Sequence, residues 1–303
     1  MTGGELGQGN GRTTLLTFTQ PPERVVSLVP SMTESLFELD LGDRLVGVTD
    51  FCLPPPEAAE RLTRVGGTRS PNTEAVIGLQ PDLVIANMEE NSKAAVEALE
   101  GAGLKVWVTF PRTVQQALEV LWALIGLFRV KEPAAKIEAL ENSLEWTERA
   151  VQEQLPARLF CPIWIGQHEP PGTWLMTFNH DTYAHDLLAR CGGENVFADR
   201  VRRYPLEADL GLAEAEDPGE RDTRYPRVTL EEIRQGAPEV ILFPSEPYHF
   251  DPAHVQSLAE QLAETPAVRA GRVHPIDGSL ITWHGTRLGR ALAEIPGLLA
   301  PQP

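Results

Sequence analysis

The sequence predicts an α/β protein of two similar lobes, each with a parallel central sheet, joined by one long backbone helix, with a ligand cleft between the lobes. Three observations carry this reading. Short apolar strand-like runs alternate with amphipathic helical runs, the alternation occurs twice, and a long helical run separates the copies. That run, Pro133 to Leu155, sets Ile137, Leu140, Leu144 and Val151 at helical spacing among Glu and Lys. One stripe therefore faces a core and the rest faces water. Pro133 suits a first-turn position and Pro156 marks the stop. At ~1.5 Å per residue the run is roughly 35 Å long, the height of a small domain.

The repeat is visible in the residues. Glu74-Ala75-Val76 followed by Pro81-Asp82-Leu83-Val84-Ile85 is matched by Glu231-Glu232-Ile233 followed by Pro238-Glu239-Val240-Ile241-Leu242, with the same interval from Glu to Pro. Gly42-Asp43-Arg44-Leu45-Val46 matches Gly193-Glu194-Asn195-Val196-Phe197 more weakly. Both pairs keep their order, which indicates a duplicated α/β unit. The expected divisions are a flexible N-terminal tail over residues 1–23, a lobe over 24–129, the linking helix over 130–156 and a second lobe over 157–303.

Within the first lobe, Arg24 to Val29 reads as a buried strand, and Pro30-Ser31 turns it into a helix. Ser31 and Glu34 there have capping-box spacing. Val46 to Thr49 is a second strand, followed by the rigid loop Phe51-Cys52-Leu53-Pro54-Pro55-Pro56. The helix at Glu74 and the strand Leu83 to Ala86 follow, then a helix from Lys93 and a strand from Lys105 to Thr109. Val114 to Phe128 is an apolar helix in which Trp122 packs inward.

In the second lobe, Leu159 to Ile165 reads as the first strand, Asp181 to Cys191 as its helix and Asn195 to Ala198 as the next strand. Strands at Val240 to Phe243 and Arg272 to Ile276 and a helix from Arg287 to Leu292 complete it. The segment Asp199 to Arg227 is charged, Pro-bearing and too long for an idle connector.

Composition bounds the function. The 303 residues with 42% hydrophobic content can bury two modest cores or one large one. A formal charge of −17 without a basic stripe argues against a nucleic-acid partner. The three cysteines, Cys52, Cys161 and Cys191, are odd in number and widely spaced. They suit neither a disulfide framework nor a zinc knuckle. Gly7, Gly9 and Gly11 lack the strand and helix of a nucleotide loop. No basic stretch leads into an apolar core as in a secretory signal, so the sequence as written points to the cytoplasm. No run reaches the roughly 18 apolar residues of a membrane span.

Parallel α/β units present loops at the carboxyl ends of their strands, and that is where a ligand is expected. Those loops hold Phe51 and Cys52, Thr68 and Arg69, Asn87 to Glu90, His168 to Trp174, Arg202 to Tyr204, Tyr225, and Trp283, His284 and Arg287. They concentrate aromatic, Arg and His side chains suited to a bulky, polar-edged ligand. His284 is the candidate metal ligand, since a neutral imidazole can bind a metal directly or within a complex. His180 and His185 diverge on a helix and make no ready metal pair. An enzyme reading would rest on Ser31 at a strand-to-helix turn. The flanking glycines of a nucleophile elbow are absent, as are a P-loop and an H-E-x-x-H motif, so no catalytic residue is assigned.

The segments Arg24-Val25-Val26-Ser27-Leu28-Val29-Pro30-Ser31, Leu41 to Val48 and Pro81 to Ala86 resemble the helical-backbone substrate-binding proteins of cobalamin, iron-siderophore and haem ABC importers. Cys191 to Phe197 and Arg224 to Glu232 fit the same pattern, nearest the cobalamin-binding branch. The resemblance implies a monomeric, extracytoplasmic receptor without a permanent cofactor. It would hold a small-molecule metal complex, namely cobalamin, a ferric siderophore or haem, between two lobes with little hinge motion. It also implies that Glu74 and Glu231 dock on arginines of an ABC permease. Family cobalamin binders carry aromatics in the loops that hold Thr68 and Asn87 here; Tyr225 and Trp174 retain them on the other lobe. A cytoplasmic carrier or sensor that kept the receptor fold is the alternative.

Overall fold

The computed structural model describes Leu16 and residues 18–301, so most of the expected N-terminal tail, with Gly7, Gly9 and Gly11, lies outside the described residues. The chain divides into two compact units. Unit 1 holds the residues up to Pro111, 115–141 and 283–288; unit 2 holds 112–114, 142–282 and the residues from Gly289 onward.

In unit 1, β1 (Val25–Ser27) is wholly buried and runs into α1 (Pro30–Glu38). Pro30 occupies the first helical position, where its missing N–H costs no hydrogen bond. The helix therefore caps on Val29, and the Ser31–Glu34 capping box that the sequence suggests does not form. After a 3-10 turn at Gly42–Arg44 come β2 (Leu45–Val48), α2 (Pro56–Ala59) and β3 (Thr63–Arg64). Then follow α3 (Thr73–Gly78), β4 (Leu83–Asn87), α4 (Lys93–Gly101), β5 (Val106–Thr109) and α5 (Val114–Phe128). The five strands form one parallel sheet in the order β3-β2-β1-β4-β5. Val26, Leu28, Val65, Val84 and Leu99 make its core. β4 is buried along its whole length, as a central parallel strand covered on both faces must be.

The residues that lead into β1 are pinned. The Asp82 carboxylate accepts from the backbone N–H groups of Glu23 and Arg24, both at 2.9 Å. The Lys105 ammonium sits 4.0 Å from the Phe18 ring. Trp122 is half-buried rather than core, because its Nε1 donates to Glu141 Oε1 at 2.7 Å.

Glu141 lies in α6 (Ala134–Val151), and the boundary between units falls just after it. Ile137 and Leu144 are buried as the stripe requires, whereas Leu155, at 91% exposure, lies beyond the helix.

Unit 2 begins with the end of α6 and continues with β6 (Ala157–Phe160), β7 (Trp164–His168) and β8 (Gly172–Met176). Next are α7 (Tyr183–Arg190), β9 (Gly193–Asn195), α8 (Leu206–Asp209) and β10 (Arg227–Thr229). α9 (Leu230–Gly236), β11 (Val240–Pro244), α10 (Pro252–Gln261), α11 (Pro266–Arg269), β12 (Val273–Ile276), α12 (Ser279–Thr282) and α13 (Leu288–Leu299) complete the chain. Its parallel sheet has the order β12-β11-β6-β9, so β6, β9, β11 and β12 stand in the places of β1, β2, β4 and β5. The repeat read from the residues is thus a repeat of topology.

The match of Gly42 with Gly193 holds only at the level of elements: Gly42 opens the turn before β2, whereas Gly193 already begins β9. Two further expectations are corrected. Leu159 to Ile165 is not one strand, for the chain breaks at Cys161-Pro162-Ile163 between β6 and β7. Proline there supplies no ladder N–H. Trp174 lies in a strand, not a loop: β7, β8 and β10 form a separate antiparallel sheet in the order β10-β8-β7. Phe160, Leu175, Val228, Ile241 and Phe243 join this sheet and the parallel one in a single core.

Candidate functional site

The candidate residues of unit 1 cluster at the carboxyl ends of its strands. Asn87 closes β4 and is 2% exposed. Its Oδ1 accepts from Glu89 N at 2.8 Å, and its Nδ2 lies 3.3 Å from both Thr109 Oγ1 and His284 Nε2. Asn91 works beside it: Oδ1 accepts from Asn87 N at 2.7 Å, and Nδ2 donates to the carbonyls of Leu28 and Thr68. One amide thus ties the ends of β1 and β4 to the loop that carries Thr68. Nothing local in the sequence marks Asn91 for this task.

The segment Trp283–Leu288 belongs to unit 1 and is bolted to α1. Arg287 places Nε 2.9 Å and Nη2 2.6 Å from the two carboxylate oxygens of Glu34. Thr286 N donates to Ser35 Oγ at 3.2 Å. Between them Gly285 adopts φ +99°, and a Cβ at that position would meet Ser35 Oγ at 2.4 Å, so only glycine serves. The Arg287 guanidinium lies 4.9 Å from the half-buried Trp283 ring. His284 is 5% exposed, and burial pushes its ionisation down to about 4, which keeps the ring neutral at physiological pH.

Asn87, His284 and Arg287, expected as ligand positions, thus also hold the segment to the unit through Asn87 Nδ2, His284 Nε2 and the Arg287 guanidinium. Among the described residues no group of three or more His, Cys, Asp and Glu side chains could hold a metal ion. Cys52 is likewise a core residue at 1% exposure, with Sγ 3.1 Å from Thr33 Oγ1 and 3.2 Å from Thr49 Oγ1. Burial raises its thiol ionisation. Ser31, the residue of the enzyme reading, is 2% exposed, and among the described residues its hydroxyl has no hydrogen-bond partner.

The exposed part of these loops includes three large apolar side chains. Phe51 and Leu53 follow β2 and are 63% and 74% exposed, and Met88 follows β4 at 53%. Arg69 is exposed and Thr68 half-buried beside them in the chain. Leu53 and Met88 escape a reading of the sequence that looks for polar and aromatic groups.

In unit 2 the Trp174 indole lies over Gly166, its direct cross-strand neighbour. A Cβ at Gly166 would come within 2.1 Å of the ring. Tyr225 precedes β10, is half-buried, and has the Arg224 guanidinium 5.2 Å from its ring. The long segment before it is anchored by Asp209, which is wholly buried. Its carboxylate accepts from the N–H groups of Arg203 and Arg227 and pairs with Arg200 Nη1 at 3.2 Å. Arg200 also reaches Glu232 at 3.3 Å, and Glu232 closes the capping box of α9.

Glu74 and Glu231 occupy equivalent places, each exposed in the first turn of the helix that precedes the third strand of its sheet plan. The caps are Asn72, accepting from Ala75 N, and Thr229, accepting from Glu232 N. Glu231 is engaged by Arg234 and Gln235, at 3.1 Å each.

These features define a two-unit α/β protein in which one parallel sheet plan is used twice. The periplasmic binding protein family model matches residues 25–280, and the chain belongs to that family. A vitamin B12-binding protein of Vibrio vulnificus (strain CMCP6) is 30% identical over 193 residues, 61% of this chain and 65% of the length of that relative. The periplasmic vitamin B12-binding protein of Vibrio cholerae superposes with a TM-score of 0.71 at 24% identity, covering 92% of this chain and 97% of its own. A periplasmic haem-binding protein of Roseiflexus sp. RS-1 in apo form superposes at 0.67 with 21% identity, covering 91% and 97%. These superpositions establish the fold. Among the described residues no helix is long and apolar enough to cross a membrane.

Proposed function

We propose that this chain is the ligand-capturing receptor of an ABC importer and that its cargo is a metal complex of the cobalamin, haem or ferric-siderophore type. The observation that carries the reading is the family match across residues 25–280 of a chain that uses its sheet plan twice. Relatives and neighbours named for vitamin B12 and haem set the class of cargo. In this reading Phe51, Thr68, Arg69, Trp174, Tyr225 and Trp283 contact the ligand. The chain works as a monomer outside the cytoplasm, performs no chemistry on its cargo and keeps no permanent cofactor. Glu74 and Glu231 dock on arginines of the permease.

Titration of the purified protein with cyanocobalamin, haem and ferric siderophores, followed by absorbance and Trp fluorescence, tests the reading. Saturable binding of one class is expected, and binding of none would overturn it. A Glu74→Ala/Glu231→Ala variant is expected to bind ligand normally and to lose its association with the permease; unchanged association would remove the docking roles.

A further inference from the structure

Helices α3 and α9 share a register. With Glu74 set against Glu231, the N-caps Asn72 and Thr229 coincide, and so do Val76 and Ile233, each wholly buried. A residue three places beyond each glutamate lies on the same side of its helix as the carboxylate. There the copies part: unit 1 has Ile77, 39% exposed, and unit 2 has Arg234. One place further, Gly78 stands against Gln235.

The two carboxylates therefore stand in opposite situations. Arg234 Nη1 lies 3.1 Å from Glu231 Oε2, and Gln235 Nε2 lies 3.1 Å from Oε1, so both oxygens are engaged. Arg234 is steadied from α10 as well, because its Nη2 donates to the carbonyl of Gln261 at 2.9 Å. The guanidinium is thus held beside Glu231 by a second contact. Glu74 is exposed, and among the described residues nothing forms a hydrogen bond or an ion pair with its carboxylate. A carboxylate without an internal cation gains a full charge-assisted pair from an incoming guanidinium, whereas a paired one must give up or share the cation it has. Beside Glu74 the exposed Ile77 also offers apolar surface that Arg234 replaces in unit 2.

We propose that the two glutamates are unequal docking points. Glu74 with Ile77 is the stronger one, and it fits an arginine of the permease that lies next to an apolar side chain. Arg234 is a built-in competitor that masks Glu231. The proposal rests on the docking reading above and ranks its two contacts.

Two measurements test it. Carbodiimide coupling of glycinamide to the purified protein, mapped by peptide mass spectrometry, is expected to label Glu74 several-fold faster than Glu231, and Arg234→Gln should raise the labelling of Glu231. Equal labelling of the two in the unaltered protein would overturn the masking. Affinity for the permease–ATPase complex reconstituted in nanodiscs is then measured for variants of unchanged thermal midpoint. Glu74→Gln should weaken it about tenfold, the scale of one charge-assisted hydrogen bond, and Glu231→Gln by about threefold at most. Arg234→Gln should tighten it about twofold, a gain that disappears when Glu231→Gln is added. Should Arg234→Gln fail to fold, the labelling of the unaltered protein and the two glutamate variants decide the matter. Equal losses from the two glutamates, or a larger loss at Glu231, would overturn the ranking while sparing the docking reading. Unchanged affinity with both glutamates replaced would overturn both.

Discussion

Asn87 Nδ2 lies 3.3 Å from His284 Nε2 although the two residues stand 197 positions apart in the chain. The amide nitrogen can only donate, so the ring nitrogen facing it accepts and the imidazole is held neutral.

This arrangement makes stability depend on pH. The ionisation of His284 falls from 6.5 to about 4 on folding, so between those values the unfolded chain binds more protons than the folded one. Stability is therefore full above pH 6.5 and falls as the pH drops toward 4. The loss is on the order of 3 kcal/mol. Urea unfolding of the protein and of His284→Gln between pH 7 and pH 4.5 measures it, and the variant should show the shallower decline.

Glu34 and Arg287 form a two-point ion pair with side-chain exposures of 22% and 10%. Changing one partner to Gln leaves a shielded charge unmatched and should cost about 2 kcal/mol, with a coupling of ~1 kcal/mol or more in the double-mutant cycle. Additive single effects would show that the pair contributes nothing beyond packing.

Asp209 collects an arginine and two backbone donors with no solvent exposure. Asp209→Ala should destabilise unit 2 by roughly 3 kcal/mol, the scale of a broken buried pair, and open residues 199–227 to proteases. Cleavage mapped by mass spectrometry to that segment in the variant, and not in the parent, is the expected result.

All three cysteines are buried, and burial raises each thiol's ionisation, that of Cys191 to about 12. Since the thiolate is the reactive form, a disulfide reagent such as Ellman's should titrate the folded protein far more slowly than the denatured one. A Cys52→Ser variant should bind ligand as the parent does, because the thiol serves Thr33 and Thr49.

What the residues reveal in advance is what depends on neighbours in the chain. Apolar alternation marks β1, β4, β6 and β11, and the common interval from Glu74 and Glu231 to a following proline exposes the repeat before any coordinates. Local reading fails where a second local rule wins or where the partner is remote. Pro30 claims the first helical position and so displaces the cap expected of Ser31. Pro170-Pro171-Gly172 reads as an open loop yet turns a hairpin that carries Trp174 into a sheet. The contacts that Asn87, His284 and Arg287 make within unit 1 are not legible either. Their partners lie 197 and 253 residues away, a distance over which periodicity carries no signal.

The brief return of Trp283–Leu288 to unit 1, with unit 2 before and after it, has a consequence for engineering. A polypeptide ended within α6 would leave Glu34 without its guanidinium and Asn87 without its imidazole, so a fragment built from the first stretch alone is expected to be less stable than unit 1 in the whole chain.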